Sequence, residues 1–227
     1  EAEKIFWLFL AEGAMSISLS LVDSNSSIKR DIENAMLDQI LNFLNSGSKD
    51  LQSRLKKIVP SWIESTPEMD SLRQAGVANS LASQLGLDGS RATLAVDEIK
   101  NAVASSVRVE LNNAKKLKDI SLSIFIQPED FSNLLSITSA TYVSEGGSTI
   151  AWLDWLLNLG TKTIIFGYSY EPDTSFGRSG GGFMADGGVW RIPPQFAGTQ
   201  SDNFITRAFA GRERQLTQIV SSIFGGK

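Results

Sequence analysis

Residues 105–126 read SSVRVELNNAKKLKDISLSIFI. Here the spacing of apolar residues changes from near four to two. Val107, Val109 and Leu111 alternate with Arg108 and Glu110, and Ile120, Leu122, Ile124 and Ile126 alternate with Ser121, Ser123 and Phe125. Period two places one set of side chains on one face of a strand. Two such runs around the polar stretch 112–119 predict an antiparallel hairpin with one buried face. Lys115, Lys116 and Lys118 fall at its tip, either solvated or turned toward an acidic partner surface. Helical spacing precedes this hairpin and further strand signals follow it. The chain therefore reads as α+β: N-terminal helices, an antiparallel sheet built from hairpins with short inserted helices, and a C-terminal helix.

Toward the N-terminus, Ala92, Ala95, Val96, Ile99, Ala102 and Val103 lie on one helical face behind a start at Asp88-Gly-Ser90. Thr66-Pro67-Glu68 is an N-cap, a proline at the first helical position and an acidic first turn. That helix is expected to carry Met69, Leu72, Leu81 and Leu85 across Gly76 and to stop at Gly86. Earlier still, Ile28, Ile32, Ala35, Met36, Ile40, Phe43 and Leu44 mark a first helix, ended by Asn45-Ser-Gly47. A second helix begins near Lys49 with Leu51, Leu55, Ile58, Val59 and Trp62 inward, interrupted at Pro60. Ser61-Trp-Ile-Glu64 has the form of a capping box and predicts a new turn. Met36, Phe43, Trp62 and Met69 read as packing residues.

Residues 5–22 read as an arm. Met15, Ile17, Leu19 and Leu21 alternate with Ser16, Ser18 and Ser20, a strand pattern that fits either the chain's own sheet or pairing with a neighbour. The apolar run at 5–10 falls far short of the ~20 residues that span a bilayer, and no membrane partner or targeting segment is expected. The resulting division is an N-terminal arm with a strand over 1–27 and a single α+β domain over 28–227. Within that domain 28–105 is helical, and 106–227 holds the sheet and the C-terminal helix.

Downstream of the hairpin, Pro128-Glu-Asp130 predicts a short helix to Leu135, and Tyr142-Val143 a short strand. Ser148 or Thr149 is expected to cap a helix from Ile150 to Leu159 that carries Trp152, Trp155 and Leu156 on one face. Residues 161–170 read as a strand. Gly182–Ala185 and Val189–Ile192 are expected to form another hairpin around Asp186-Gly187, stopped by Pro193-Pro194. Ser201 or Asp202 should cap one final helix with Phe204, Ile205, Ala208, Phe209, Leu216, Ile219, Val220 and Ile223 inward.

The chain has 227 residues, a net charge of −4, and neither cysteine nor histidine. Disulfides, thiolate metal sites and cysteine nucleophiles are thereby excluded, along with the commonest neutral-pH acid/base. The acidic balance argues against a general nucleic-acid binder. Gly180, Gly182 and Ala185 match G-x-G-x-x-A, but a strand rather than a helix is expected next, so the dinucleotide reading fails. Asp154, Asp173, Asp186, Asp202, Glu145 and Glu171 offer no spacing that singles out a hydrolytic pair. Asn25-Ser-Ser27 fits a glycosylation acceptor, but without a secretory signal it reads as a helix cap. Arg178, Arg191, Arg207, Arg212 and Arg214 enrich the C-terminal quarter in arginine, either on solvated faces or in inter-subunit ion pairs. No catalytic, cofactor-binding or metal-ligating residue is expected, and a tryptophan-based sugar site ranks below a structural role.

Several segments, in order, resemble virion proteins of tailed bacteriophages at the head–tail junction. They are Ile150-Ala-Trp-Leu-Asp-Trp-Leu-Leu, Thr161-Lys-Thr-Ile-Ile, Gly177-Arg-Ser-Gly, Gly187-Gly-Val-Trp-Arg-Ile-Pro-Pro-Gln-Phe-Ala-Gly-Thr and Asn203-Phe-Ile-Thr-Arg-Ala. The layout over 28–224, with Thr66-Pro67 and Ser71-Leu72-Arg73, is similar to the same class. Residues 1–27 and the long helical region depart from its simplest members. The resemblance implies a non-enzymatic neck or tail-completion (head–tail connector) protein. It would form a hexameric or dodecameric homo-oligomeric ring, touch adjacent connector and tail proteins, and pass double-stranded DNA without reading its sequence. Its place would be the virion neck, after assembly in the host cytoplasm. A tail terminator, head-completion or other phage structural protein is the nearest alternative, and a carboxylate-dependent hydrolase a more distant one. Candidate subunit-interface residues are Trp152, Trp155, Arg178, Trp190, Arg191, Phe196, Arg207, Arg212 and Arg214, because Trp, Phe and Arg are enriched at interfaces.

Overall fold

One helix, α1 (Asn25–Glu64), runs for 40 residues through both stops expected within it. The computed structural model describes residues 23–112, 114–143, 147–173 and 176–225. The strand expected over 15–21 and the rest of the arm up to residue 22 lie outside them. Ser24 caps α1, its Oγ accepting from Ser27 N at 3.2 Å, so the helical part begins at 25 rather than 28. Gly47 does not end the helix. A Cβ on it would lie 2.2 Å from Cε1 of Phe224, so the glycine makes room for the end of the C-terminal helix. Ser48 Oγ returns a hydrogen bond to Asn45 O at 2.9 Å, keeping the turn closed. Pro60 removes one amide donor, but Leu55, Val59, Trp62 and Ile63 are all buried and packing carries the helix past it. Ser61 is helix interior rather than a cap, its Oγ donating to Ile58 O at 2.7 Å.

The next predicted helix is two. α2 (Pro67–Arg73) starts at the expected proline, although Thr66 Oγ1 donates back to Ile63 O instead of capping. The chain then turns through Gly76, and Ser80 caps a separate short α3 (Leu81–Gln84). α4 (Gly89–Ser106) has the expected cap: Asp88 Oδ1 accepts from Ser90 N at 3.0 Å and Arg91 N at 2.9 Å. It buries Ala92, Ala95, Val96, Ile99 and Val103. α4 lies antiparallel to α1, as two contacts fix. Lys100 pairs with Glu64 at 3.3 Å, and Val109 N donates to Gln52 Oε1 at 3.2 Å.

Among the described residues the β part is three separate two-stranded antiparallel ladders rather than one sheet. β1 (Arg108–Leu111) and β2 (Leu122–Phe125) form the hairpin read from the sequence. Asn112 clasps it, donating to Asp119 O at 2.6 Å and accepting from Ser121 N at 2.7 Å. After α5 (Ser132–Leu135) come β3 (Tyr142–Val143) and β4 (Thr149–Ile150). Thr149 is thus a strand residue, and α6 (Trp152–Leu157) begins without a side-chain cap. β5 (Ile165–Pro172) pairs with β6 (Gly182–Trp190), a single continuous strand. Asp186-Gly-Gly188 forms no hairpin turn. Gly187 and Gly188 together oppose Gly167, all three at positive φ, so the turn-like residues make a bulge in a long ribbon. The last predicted helix is also two, α7 (Phe204–Phe209) and α8 (Glu213–Phe224), capped at Asn203 rather than at Ser201 or Asp202.

The fold is therefore α+β, with N-terminal helices, hairpin ladders, short inserted helices and C-terminal helices. Its core joins Leu51, Leu55 and Ile63 of α1 with Met69, Leu72, Ile99, Trp152, Leu156 and Phe204. α8 runs back along α1, Arg212 lying over Trp62 and Phe224 meeting Phe43 edge-on at 6.0 Å.

Candidate functional site

A groove of about 960 Å³ lies between the β3–β4 ladder and the β5–β6 ribbon. Tyr142, Thr149 and Ile150 line it from the first, and Ile165, Phe166, Tyr168, Tyr170, Met184 and Trp190 from the second. Ser83 to Gly86 and Arg178 close in from the α3 side, where Ser179 Oγ donates to Ser83 O at 3.1 Å. Tyr170 ties the ribbon to this wall, donating to Gly181 O at 2.6 Å and accepting from Asn79 N at 3.2 Å. Arg178 stacks 4.4 Å from the Tyr142 ring centroid and donates from Nε to Gly86 O at 3.2 Å. Trp190 is buried, yet among the described residues its indole N–H has no hydrogen-bond partner. The other two tryptophans of this region are satisfied: Trp152 Nε1 donates to Ser139 O at 2.6 Å and Trp155 Nε1 to Lys162 O at 3.1 Å.

Two exposed apolar faces extend beyond the groove, the second sharing Phe166 and Phe183 with its lining. On the N-terminal half of α1, Ile32 (55 % exposed), Met36 (48 %), Ile40 (36 %) and Phe43 (54 %) form a stripe. Met36 and Phe43 are therefore not core residues, in contrast to Trp62 and Met69, which are. Leu37, nearby on α1, packs instead toward the Lys115–Lys118 loop, which folds back over Glu33 and Asn34. The stripe begins where α8 ends, so α8 covers the helix only as far as Phe43. On the ribbon, Phe166 is 76 % exposed, with Phe183 and Val189 also exposed and Phe176 edge-on to Phe183.

The nine interface candidates scatter. Trp152 and Trp190 are buried within the chain's own core, and Phe196 packs against it, because apolar strand and helix faces here close on one another. Trp155 is half-buried under the loop that carries Lys162. Arg207 ties α7 to α2, pairing with the buried carboxylate of Glu68 and with Asp202 at 2.7 Å. Burial alone would lower the Arg207 pKa, but the bonds to Asp202 and Glu68 outweigh it and hold the group above its ordinary value. Arg212 is spent on Trp62 and on carbonyl Ala208 O at 3.4 Å, and Arg178 on Tyr142 and Gly86. Four of the nine, Arg178, Arg191, Arg207 and Arg214, are exposed. The exposed α1 stripe and Phe166 were not among the nine. The signal for the stripe lay in the three-four spacing from Ile28 to Leu44, which continues through Gly47 into Leu51 and Leu55.

Three of the segments that carry the phage resemblance, 150–157, 187–199 and 203–208, meet at one joint. Gly160 N donates to Gly198 O at 2.8 Å, and Gly198 N to Trp155 O at 3.2 Å. A Cβ on Gly198 would sit 1.9 Å from Leu156 O, so only glycine admits this approach. Fully buried Asn203 caps α7 through Oδ1 to Ile205 N and Thr206 N, both at 3.1 Å, and its Nδ2 donates to Leu157 O and Thr199 O. Gly198 and Asn203 thereby lock α6 against α7.

Several acidic side chains make local contacts within the fold. Asp154 accepts from Asn158, Asp186 sits at the ribbon bulge and Asp202 holds Arg207. At the end of α1, Arg73 beside Glu64 holds that carboxyl below its ordinary value. Among the described residues no three acidic side chains gather as ligands for a shared cation. Among the same residues no helix is long and apolar enough to cross a membrane. Comparison with protein-family models, curated proteins and solved structures returns no match.

Proposed function

We propose that the chain is a structural ring subunit of a tailed-phage neck, joining the head connector to the tail and lining the DNA passage. The observation that carries this reading is the uncovered stripe Ile32, Met36, Ile40 and Phe43 on a helix about 60 Å long. Contiguous exposed apolar surface on a protein marks a contact site. A second exposed face lies on a different element, the ribbon with Phe166, Phe183 and Val189. Rings with head-to-tail contacts need two different surfaces on each subunit, and two such faces support that arrangement. The net charge of −4 suits a lumen through which phosphate must slide without being held. The meeting of three resemblance-bearing segments at the α6–α7 joint supports a role for them in shape rather than turnover.

The experiment is a symmetry-resolved reconstruction of a phage particle that contains this chain, with the chain carrying an epitope for labelling. The expected result is label and density in a ring between portal and tail tube. Label in the capsid shell, in the baseplate or nowhere on the particle would overturn the neck assignment.

A further inference from the structure

The groove between the two small sheets has the features that an alternating segment of this chain requires. Met15, Ile17, Leu19 and Leu21 alternate with Ser16, Ser18 and Ser20, so an extended backbone would carry one apolar and one polar face. The groove offers apolar Ile150, Trp152 and Met184. Trp190 lines it with a buried indole N–H that lacks an acceptor. Residues of β4 and β5 line it too, and among the described residues neither strand has a second ladder partner. A strand added beside such an edge gains main-chain hydrogen bonds, and its alternate side chains fill pockets. A carbonyl of that strand is the acceptor the indole lacks.

The run cannot reach the groove of its own subunit. α1 begins at Asn25 and its 40 residues place Glu64 roughly 60 Å away. Lys100 of antiparallel α4 pairs with Glu64, so α4 starts, at Gly89, beyond that far end of α1. Gly86, on the groove wall, lies just before this start. Residues 15–24, fully extended, cover at most about 36 Å. We infer that Met15–Leu21 of one subunit adds as a strand in the groove of a neighbouring copy, bridging its β3–β4 and β5–β6 ladders. The inference rests on the self-assembly proposed above, and commits it to an exchanged arm as one contact between subunits.

The chain has no cysteine, so single engineered cysteines report contacts cleanly. Full-length Leu19→Cys and Met184→Cys chains, differently tagged, are co-expressed, weighed by light scattering, then oxidised. A disulfide-linked dimer carrying both tags is expected, and it should be lost when Ser20→Cys replaces Leu19→Cys. Ile150→Cys serves as a second groove position if Met184→Cys folds poorly. An assembled species with no mixed-tag link at either groove position overturns the inference and leaves the ring reading standing. A link to Ile40→Cys in place of the groove positions places the arm on α1 and also overturns it. So does an intramolecular link in a Leu19→Cys/Met184→Cys double variant. A monomer with no link removes both readings.

Discussion

Gly47 and Phe224 make the most specific residue-scale commitment. Glycine inside a helix costs about 1 kcal/mol relative to alanine, yet here a Cβ would meet the Phe224 ring at 2.2 Å. The two effects have opposite signs and can be separated. Gly47→Ala alone should destabilise the chain by about 1–2 kcal/mol, the usual range for overpacking. In a Phe224→Ala background the same substitution should stabilise by up to about 1 kcal/mol, because only helix propensity is left. Urea denaturation of the four variants measures the cycle. An additive cycle would mean that α8 does not dock on α1 at this point. The pair also explains why the expected helix end at Asn45-Ser-Gly47 does not occur. Local chemistry reads glycine as a stop, but a residue 177 positions later requires it as a contact, and no local window contains both.

At the scale of elements, α1 decides most. Met36 and Ile40 are exposed in the isolated chain, so replacing both with Asp should change its stability by no more than about 0.5 kcal/mol each. The same double variant should lose self-association. Equilibrium unfolding and light scattering on one sample test both halves. A large loss of stability would show that the stripe is covered within the chain, and an unchanged assembly would remove it from the interface. The elements themselves were legible unevenly. The Asp88 cap, the proline start of α2 and the 107–126 hairpin are set by neighbours in sequence, and each stands where its residues predict. The 66–86 helix and the final helix each proved to be two, since tertiary contacts chose where the chain turns. Asp186-Gly-Gly188 could have been a turn or a bulge on local grounds. Eight residues of β5 opposite it selected the bulge. Among the interface candidates, residue type alone pointed to Trp152 and Trp190, which the core consumes. Exposure depends on how far α8 extends along α1, and spacing within α1 does not encode that.

On the scale of the whole molecule, the chain presents three uncovered features that a lone subunit does not use: the α1 stripe, the ribbon face and the groove with its unpaired indole. A ring of identical subunits can use all three at once. That is why the reading rests on assembly and not on turnover. Native mass spectrometry of the purified full-length chain tests this most directly. With a subunit of 24.7 kDa, a single closed species at six or twelve subunit masses is the expected spectrum. A spectrum that stays at one subunit mass up to about micromolar concentration, where specific interfaces of ordinary affinity assemble, would contradict the account.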